Sequence, residues 1–152
     1  MKEQIKIIIK SSVVKPSPFT KGMHKEYKLK LSYKGNEYNF IYHDSVYNWQ
    51  NNKKLNKDDA IYSLLMDASA YEQSRDEKEF LNDFGYDEFD LYNYYKEGYS
   101  FSDMYGFASD EDVDNLRKGL KAYKECEKTY NAFESMFTSD ELSQLYTEFE
   151  NY

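Results

Sequence analysis

The spacing of apolar residues changes near residue 56, and this change decides the predicted fold class. Before it, Tyr27, Leu29 and Leu31 alternate with polar residues, which is the period of a half-buried strand. After it, apolar residues recur at the spacing of one helix face. These residues are Ile61, Leu64, Leu65, Ala68 and Tyr71. The sequence therefore predicts an α+β fold in which strands are followed by helices.

The first third of the chain is predicted to form a three-stranded antiparallel sheet. Residues 3–14 are rich in Ile and Val and predict a first strand, which ends at the prolines that follow. Residues 27–33 and 38–42 both alternate, and Lys34-Gly35-Asn36 between them is typical of a hairpin turn. The first strand and this hairpin together predict the sheet.

Several helices are predicted to pack with this sheet. Asp58 and Asp59 suit the first turn of the first helix, while Gly85 and Gly98 suit the ends of the next two. The later helices are predicted over about 76–84, 88–97, 109–137 and 138–149. The last two begin at residues with the spacing of a capping box, which predicts a C-terminal helical hairpin.

The 152 residues are predicted to form a single domain, 1–152, because a chain of this length supports one core. Within it, residues 1–45 form the basic antiparallel sheet and residues 57–152 the acidic helical part. Residues 1–57 carry a net charge of +8, whereas residues 58–152 carry a net charge of −16. The two parts should therefore present opposite electrostatic fields to a partner.

The sheet lysines are interpreted as a solvated polar face, with a nucleic-acid contact as the alternative. They are Lys6, Lys10, Lys28, Lys30 and Lys34. The net charge of −8 repels phosphate backbones. These lysines are predicted to be the only local region of positive charge that opposes this repulsion. We therefore expect the protein alone to bind no nucleic acid. We also expect no membrane span and, with one cysteine, a cytoplasmic location.

An acidic, aromatic segment is the candidate functional surface. From Phe80 to Phe107, 11 of 28 residues are Phe or Tyr, more rings than two short helices can bury on one face. Aromatic rings with carboxylates around them are typical of a protein-binding surface for a basic partner. The predicted contact residues are Asp87, Glu88, Asp90, Tyr94, Tyr95, Glu97, Tyr99, Phe101, Asp103, Tyr105, Asp110, Glu111 and Asp112.

The sequence predicts no catalytic residues, no metal site, no cofactor and no small-molecule substrate. His24, expected in a loop, and His43, expected at a strand end, lack the spacing of a metal or catalytic motif. Asp110-x-Asp112-x-Asp114 begins like a calcium loop, but the residues needed later in that loop are absent. Cys126 is interpreted as an ordinary helix residue. The protein is therefore expected not to be an enzyme.

Three segments resemble a family of small proteins from phages and mobile elements of Gram-positive bacteria. They are YKLKLSYKGNEYNFIYHDS at 27–45, DAIYSLLMDA at 59–68 and EFLNDFGYD at 79–87. The resemblance covers about 25–87 and, more loosely, 115–150. The chain departs from the family pattern at about 88–110, which is interpreted as a partner-binding insertion.

The resemblance implies the setting of a phage protein, a class that includes anti-CRISPR proteins. Many of these occupy the basic nucleic-acid channel of the effector nuclease. Carboxylates along the candidate surface could stand in for phosphates and tyrosines for stacked bases. The predicted function is inhibition of a host CRISPR effector nuclease or its guide complex. The alternatives are a phage accessory or antitoxin-like adaptor, and a nucleic-acid-binding protein that uses the basic sheet.

Overall fold

The computed structural model describes residues 1–17, 21–45, 50, 54–73, 76–83 and 89–152. A short 3₁₀ turn at Lys2–Gln4 precedes the strands β1 Lys6–Pro16, β2 Met23–Tyr33 and β3 Asn36–Asp44. The helices in the described part are α1 Lys57–Gln73, α2 Glu77–Asp83, α3 Phe89–Lys96, α4 Phe101–Met104, α5 Asp110–Glu134 and α6 Ser139–Glu148. The α+β class and the three-stranded antiparallel sheet are confirmed.

The described residues group into two compact units. Residues 1–67 and 132–152 form the first, here called the sheet unit, and residues 68–131 form the second, here called the helical unit. The prediction of a single domain stays a prediction. No helix among the described residues is long and apolar enough to cross a membrane.

The three strands lie in the order β1-β2-β3, with antiparallel neighbours. Lys34 and Gly35 form the two-residue turn of the predicted hairpin, with φ angles of 49° and 80°. Positive φ at both positions is what a type I′ turn requires, and such a turn matches the twist of the strands it joins. The first strand begins at Lys6 and extends to Pro16, so its predicted start and end are corrected.

One face of the sheet carries the core of the sheet unit. Its buried residues from β2 and β3 are Tyr27, Leu29, Leu31, Tyr33, Tyr38 and Tyr42. Ala60 of α1 lies in the same cluster as Tyr27 and Leu29, so this helix packs on the sheet as expected. The predicted apolar face of α1 is confirmed, because all five of its residues are buried.

The last helix, α6, is anchored to the rest of the sheet unit. The Thr138 hydroxyl accepts from the Glu141 backbone N–H, and the Glu141 carboxylate accepts from the Thr138 N–H, which confirms the predicted capping box. The Tyr146 hydroxyl donates to the Leu65 carbonyl at 3.3 Å. The N-terminal ammonium lies 2.8 Å from a Glu148 carboxylate oxygen. These contacts join both ends of the chain in one unit.

The helical unit has its own core, to which α2, α3, α4 and α5 contribute. The buried residues are Leu81, Leu91, Met104, Val113, Leu116 and Leu120. Helix α4 was not predicted; it begins where the Ser100 hydroxyl accepts from the Asp103 backbone N–H at 3.2 Å. Met104 of this helix is fully buried and Phe101 packs against the same core, so α4 contributes to the core through these two residues.

Candidate protein-binding surface

Three aromatic rings contact one another at the surface of the helical unit. The Tyr94 centroid lies 5.0 Å from Tyr99 and 4.9 Å from Phe107, while Tyr99 and Phe107 are 6.3 Å apart. All three pairs meet edge to face, the favourable arrangement for aromatic quadrupoles. Tyr99 remains 45% exposed and Phe107 52% exposed. We call these three residues the aromatic triad.

The end of α3 places the second ring of the triad. Gly98 has a φ of 98°, which a side chain would strain, and its N–H donates to the Tyr95 carbonyl at 3.1 Å. The Tyr99 N–H donates to the Tyr94 carbonyl at 3.0 Å. This pair of hydrogen bonds is a Schellman ending. It reverses the chain and brings the Tyr99 ring against Tyr94.

Exposed carboxylates occur on the segments that carry the triad. Glu97 and Asp103 are exposed, as are Asp110 and Glu111 in the first turn of α5, whereas Asp112 is half-buried. The Ser109 hydroxyl accepts from the Asp112 N–H at 3.2 Å, so the predicted cap of this helix is present. Among the described residues, none of these five carboxylates forms an ion pair. Their charge is therefore not neutralised within the described part of the chain.

The other predicted aromatic contacts are half-buried. Tyr95, Phe101 and Tyr105 pack against the core of the helical unit. The Tyr105 hydroxyl donates to the Asp114 carboxylate, and this hydrogen bond raises the pKa of Tyr105. Because they are half-buried, these three rings would offer a partner less contact area than Tyr99 and Phe107. Phe107 was missed as a site residue although it belongs to the same run of rings.

Three predicted contact residues have no side chain in the described part of the structure. Asp87 and Glu88 lie outside the described residues. Asp90 belongs to α3, but its side chain also lies outside them. The candidate surface is therefore built from the remaining predicted residues together with Phe107.

A basic stripe on α5 corrects the expectation that the sheet lysines are the only positive region. Arg117, Lys121, Lys124 and Lys128 recur at helical spacing and line a cavity of about 400 Å³ with Tyr95 and Phe101. The Arg117 guanidinium lies 5.1 Å from the Phe101 centroid, within range of a cation–π contact. The acidic segment is thus followed by a face of opposite charge within the same unit.

The two histidines lie closer together than the predicted loop position of His24 implied. His24 lies in β2 and not in a loop, and its Nε2 is 2.9 Å from Nδ1 of His43 in β3. Burial, followed by the charge of His24, lowers the pKa of His43. The prediction missed this pair because it placed the start of β2 at residue 27, four residues late.

No protein-family model, curated protein or solved structure matches this chain. The resemblance to small phage proteins therefore stays a prediction. A functional hypothesis has to come from the residues of the chain and their geometry.

Proposed function

We propose that the protein is a non-enzymatic inhibitor that binds a nuclease of host defence, namely a CRISPR effector or its guide complex. The binding surface is the aromatic triad with the exposed carboxylates Glu97, Asp103, Asp110 and Glu111. The observation that carries the proposal is the combination of half-exposed rings with carboxylates that have no ion-pair partner among the described residues. The proposed location is the cytoplasm of the infected bacterium.

The two kinds of residue would have separate effects on binding. Exposed carboxylates attract a basic groove over about 8 Å at physiological ionic strength, which speeds association. The rings supply apolar area that becomes buried on contact, which slows dissociation. Tyr99 and Phe107 suit this role, because about half of each side chain remains available to a partner. A groove built for nucleic acid offers both a positive field and stacking surfaces.

Two considerations direct the proposal to a CRISPR effector. The resemblance of residues 25–87 to small phage proteins implies a role directed at a bacterial host. The carboxylates and rings together match the chemistry of a nucleic-acid backbone and its bases. An adaptor role in the phage would use the same surface on another basic partner.

A nucleic-acid-binding role is the second candidate, and the basic stripe on α5 favours it. Arg117, Lys121 and Lys124 could contact phosphates while Phe101 stacks on a base. The net charge of −8 opposes this role at long range. The two candidates differ in whether the isolated protein binds DNA or RNA.

The proposal is tested by capture of partners from a Gram-positive host lysate, followed by a cleavage assay with the purified effector. We expect cleavage of target DNA to stop near a one-to-one ratio of protein to effector. The variant Glu97→Lys/Asp103→Lys should inhibit only weakly, because it reverses two exposed charges on the segments that carry the triad. Glu3→Lys/Glu150→Lys reverses two exposed charges in the sheet unit and should inhibit like the wild type.

The two variants change the net charge equally, so a loss confined to the first assigns the effect to the surface. Inhibition by the wild type should also slow steeply as salt is raised, because salt screens the attraction that drives encounter. Equal inhibition by both variants would place the binding site elsewhere. Absence of any effect on the captured or purified effectors would refute the inhibitor proposal.

A further inference from the structure

The outer face of the sheet carries a cluster of three side chains of the types that can ligate a metal ion. Glu26 of β2 and His43 of β3 are direct cross-strand partners. His24 precedes Glu26 by two residues and therefore points to the same face of the sheet. The strand register thus brings two imidazoles and one carboxylate together, at the end of the sheet far from the hairpin turn.

The ligand atoms of these three residues lie within 4.8 Å of one another. His24 Nε2 and His43 Nδ1 are 2.9 Å apart, and His43 Nδ1 is 3.9 Å from Glu26 Oε1. In a tetrahedral zinc site with bonds of about 2.0–2.1 Å, neighbouring ligand atoms are about 3.3 Å apart. These two separations lie on either side of that value and the widest in the cluster is at most 4.8 Å, so side-chain rotations that narrow the wider separations would form such a site.

From this geometry we infer that His24, His43 and Glu26 form a binding site for a divalent transition-metal ion of the Zn²⁺ type. Two imidazole nitrogens with one carboxylate oxygen prefer Zn²⁺ and its neighbours over Mg²⁺ and Ca²⁺, which require oxygen ligands. Three protein ligands leave a fourth position for water. A bound ion would link β2 to β3 by bonds stronger than the present contacts.

His24 is a buried imidazole whose hydrogen bonding is incomplete within the described part of the chain. His24 is 3% exposed, yet its Nδ1 has no hydrogen-bond partner among the described residues. A histidine kept in a sheet for its hydrogen bonds would be expected to satisfy both nitrogens, because an unsatisfied buried nitrogen costs stability.

Lys15 forms an ion pair with the carboxylate of the cluster. Its ammonium lies 2.8 Å from Glu26 Oε1, and its side chain is 44% exposed. A divalent cation would repel this ammonium and compete with it for the carboxylate. Because the lysine can turn into solvent, its displacement requires no change in the backbone. Removal of its charge should therefore strengthen metal binding.

The site is tested by titration of the tag-free full chain with ZnCl₂, after treatment with EDTA, in a calorimeter. The sequence contains only two histidines, so removal of an affinity tag leaves these two imidazoles as the available ones. We expect one Zn²⁺ per chain. Glu26→Gln and His43→Gln should each weaken binding at least about tenfold, since a lost ligand should matter at least as much as a lost supporting contact.

Glu37→Gln is the matched control, and Lys15→Gln is a variant whose effect on Zn²⁺ affinity should have the opposite sign. Glu37 is an exposed carboxylate of β3 that pairs with Lys30 at 3.3 Å, away from the cluster. Its variant should bind Zn²⁺ like the wild type, while Lys15→Gln should bind more tightly. Zn²⁺ should also raise the melting temperature of the wild type but not that of Glu26→Gln.

Cobalt provides a readout on the wild type that does not depend on the variants. Co²⁺ bound by these ligands should give the intense visible bands of a tetrahedral site, and Zn²⁺ should remove them. Weak bands of octahedral Co²⁺ would overturn the inference. Failure of the wild type to bind Zn²⁺, or equal Zn²⁺ affinity in the wild type, Glu26→Gln and His43→Gln, would also overturn it.

Discussion

The sheet unit and the helical unit use aromatic rings in opposite ways. In the sheet unit, Phe133 lies 5.7 Å from Tyr38 and 5.5 Å from Phe137, and all three rings are buried. In the helical unit, Tyr99 and Phe107 contact each other and Tyr94 but remain about half exposed. Similar ring pairs therefore form part of a core in one unit and a surface cluster in the other.

The difference shows that aromatic content alone does not identify a binding surface. The rings of Phe133, Tyr38 and Phe137 are covered because the sheet offers a continuous apolar face. In the helical unit, short helices bury Leu91 and Met104 but leave the outer rings in solvent. The rings left exposed beside carboxylates are those available to a partner.

The largest expected effect is on the free energy of unfolding. Removal of a buried ring should lower it much more than removal of an exposed ring. Phe133→Ala should lower the free energy of unfolding by about 3–5 kcal/mol, because a fully buried ring leaves a cavity. Phe107→Ala should lower it by less than about 1 kcal/mol, because the ring is half exposed. Urea denaturation followed by circular dichroism measures both. A loss at Phe107 as large as that at Phe133 would make the triad part of a core.

The second effect is expected in the helical unit and concerns the affinity for the nuclease. Tyr99→Ala and Phe107→Ala should each weaken binding by about 1–3 kcal/mol, roughly 5- to 150-fold in Kd, if the ring enters the interface. Ile41→Ala removes an exposed apolar side chain of the sheet and serves as control. Calorimetry or biolayer interferometry measures the difference. Unchanged binding by both triad variants would remove the triad from the interface.

The sheet unit should also show its own sensitivity to acid. The hydrogen bond from Tyr33, followed by those from Thr138 and Lys34, lowers the pKa of Glu141 from 4.5 to about 2. The ionised carboxylate therefore stabilises the folded state, and this contribution is lost as the pH falls from about 4.5 towards 2.

Glu141→Gln should consequently reduce the loss of stability across that pH range, while the variant side chain can still accept in the capping box. Thermal unfolding at several pH values provides the measurement, with Glu150→Gln, an exposed carboxylate of the same unit, as control. The same acid dependence in Glu141→Gln and the wild type would show that the Tyr33 and Lys34 contacts do not stabilise the folded protein.

The smallest effect is expected on nucleic acid, because the protein alone should not bind it. A mobility-shift titration with duplex and single-stranded oligonucleotides should show no complex with the protein alone, because the net charge of −8 opposes phosphate. Tight binding lost in Lys121→Glu/Lys124→Glu would assign it to the basic stripe on α5. Loss in Lys28→Glu/Lys30→Glu would assign it to the sheet. Either result would favour the nucleic-acid-binding role.

Local sequence signals were sufficient for the sheet and for most helices. The turn at Lys34-Gly35 fixes the pairing of β2 with β3, so Glu26 faces His43 by register alone. The cluster of His24, Glu26 and His43 could have been predicted if β2 had been extended to Met23. The prediction stopped at Tyr27 because the residues before it, including His24, break the apolar alternation on which the strand was recognised.

The distribution of exposed rings and charges could not be predicted in the same way. Residues 88–110 carry rings on nearly every side of the helices, so periodicity does not separate core from surface. Helix α4 has four residues, too few to produce a periodic pattern. Its buried Met104 and the Schellman ending at Gly98 decide which rings reach solvent. The helix end at Gly98 was predicted, whereas the burial of Met104 depends on tertiary packing.

Displacement of nucleic acid from the nuclease tests the proposed mechanism most directly. Labelled target DNA bound to the guide-loaded effector is titrated with the protein, and the bound fraction is followed by fluorescence anisotropy. The mechanism predicts displacement by the wild type and by Glu3→Lys/Glu150→Lys, and little displacement by Glu97→Lys/Asp103→Lys. Formation of a stable complex of protein, effector and DNA, with the DNA retained, would contradict it.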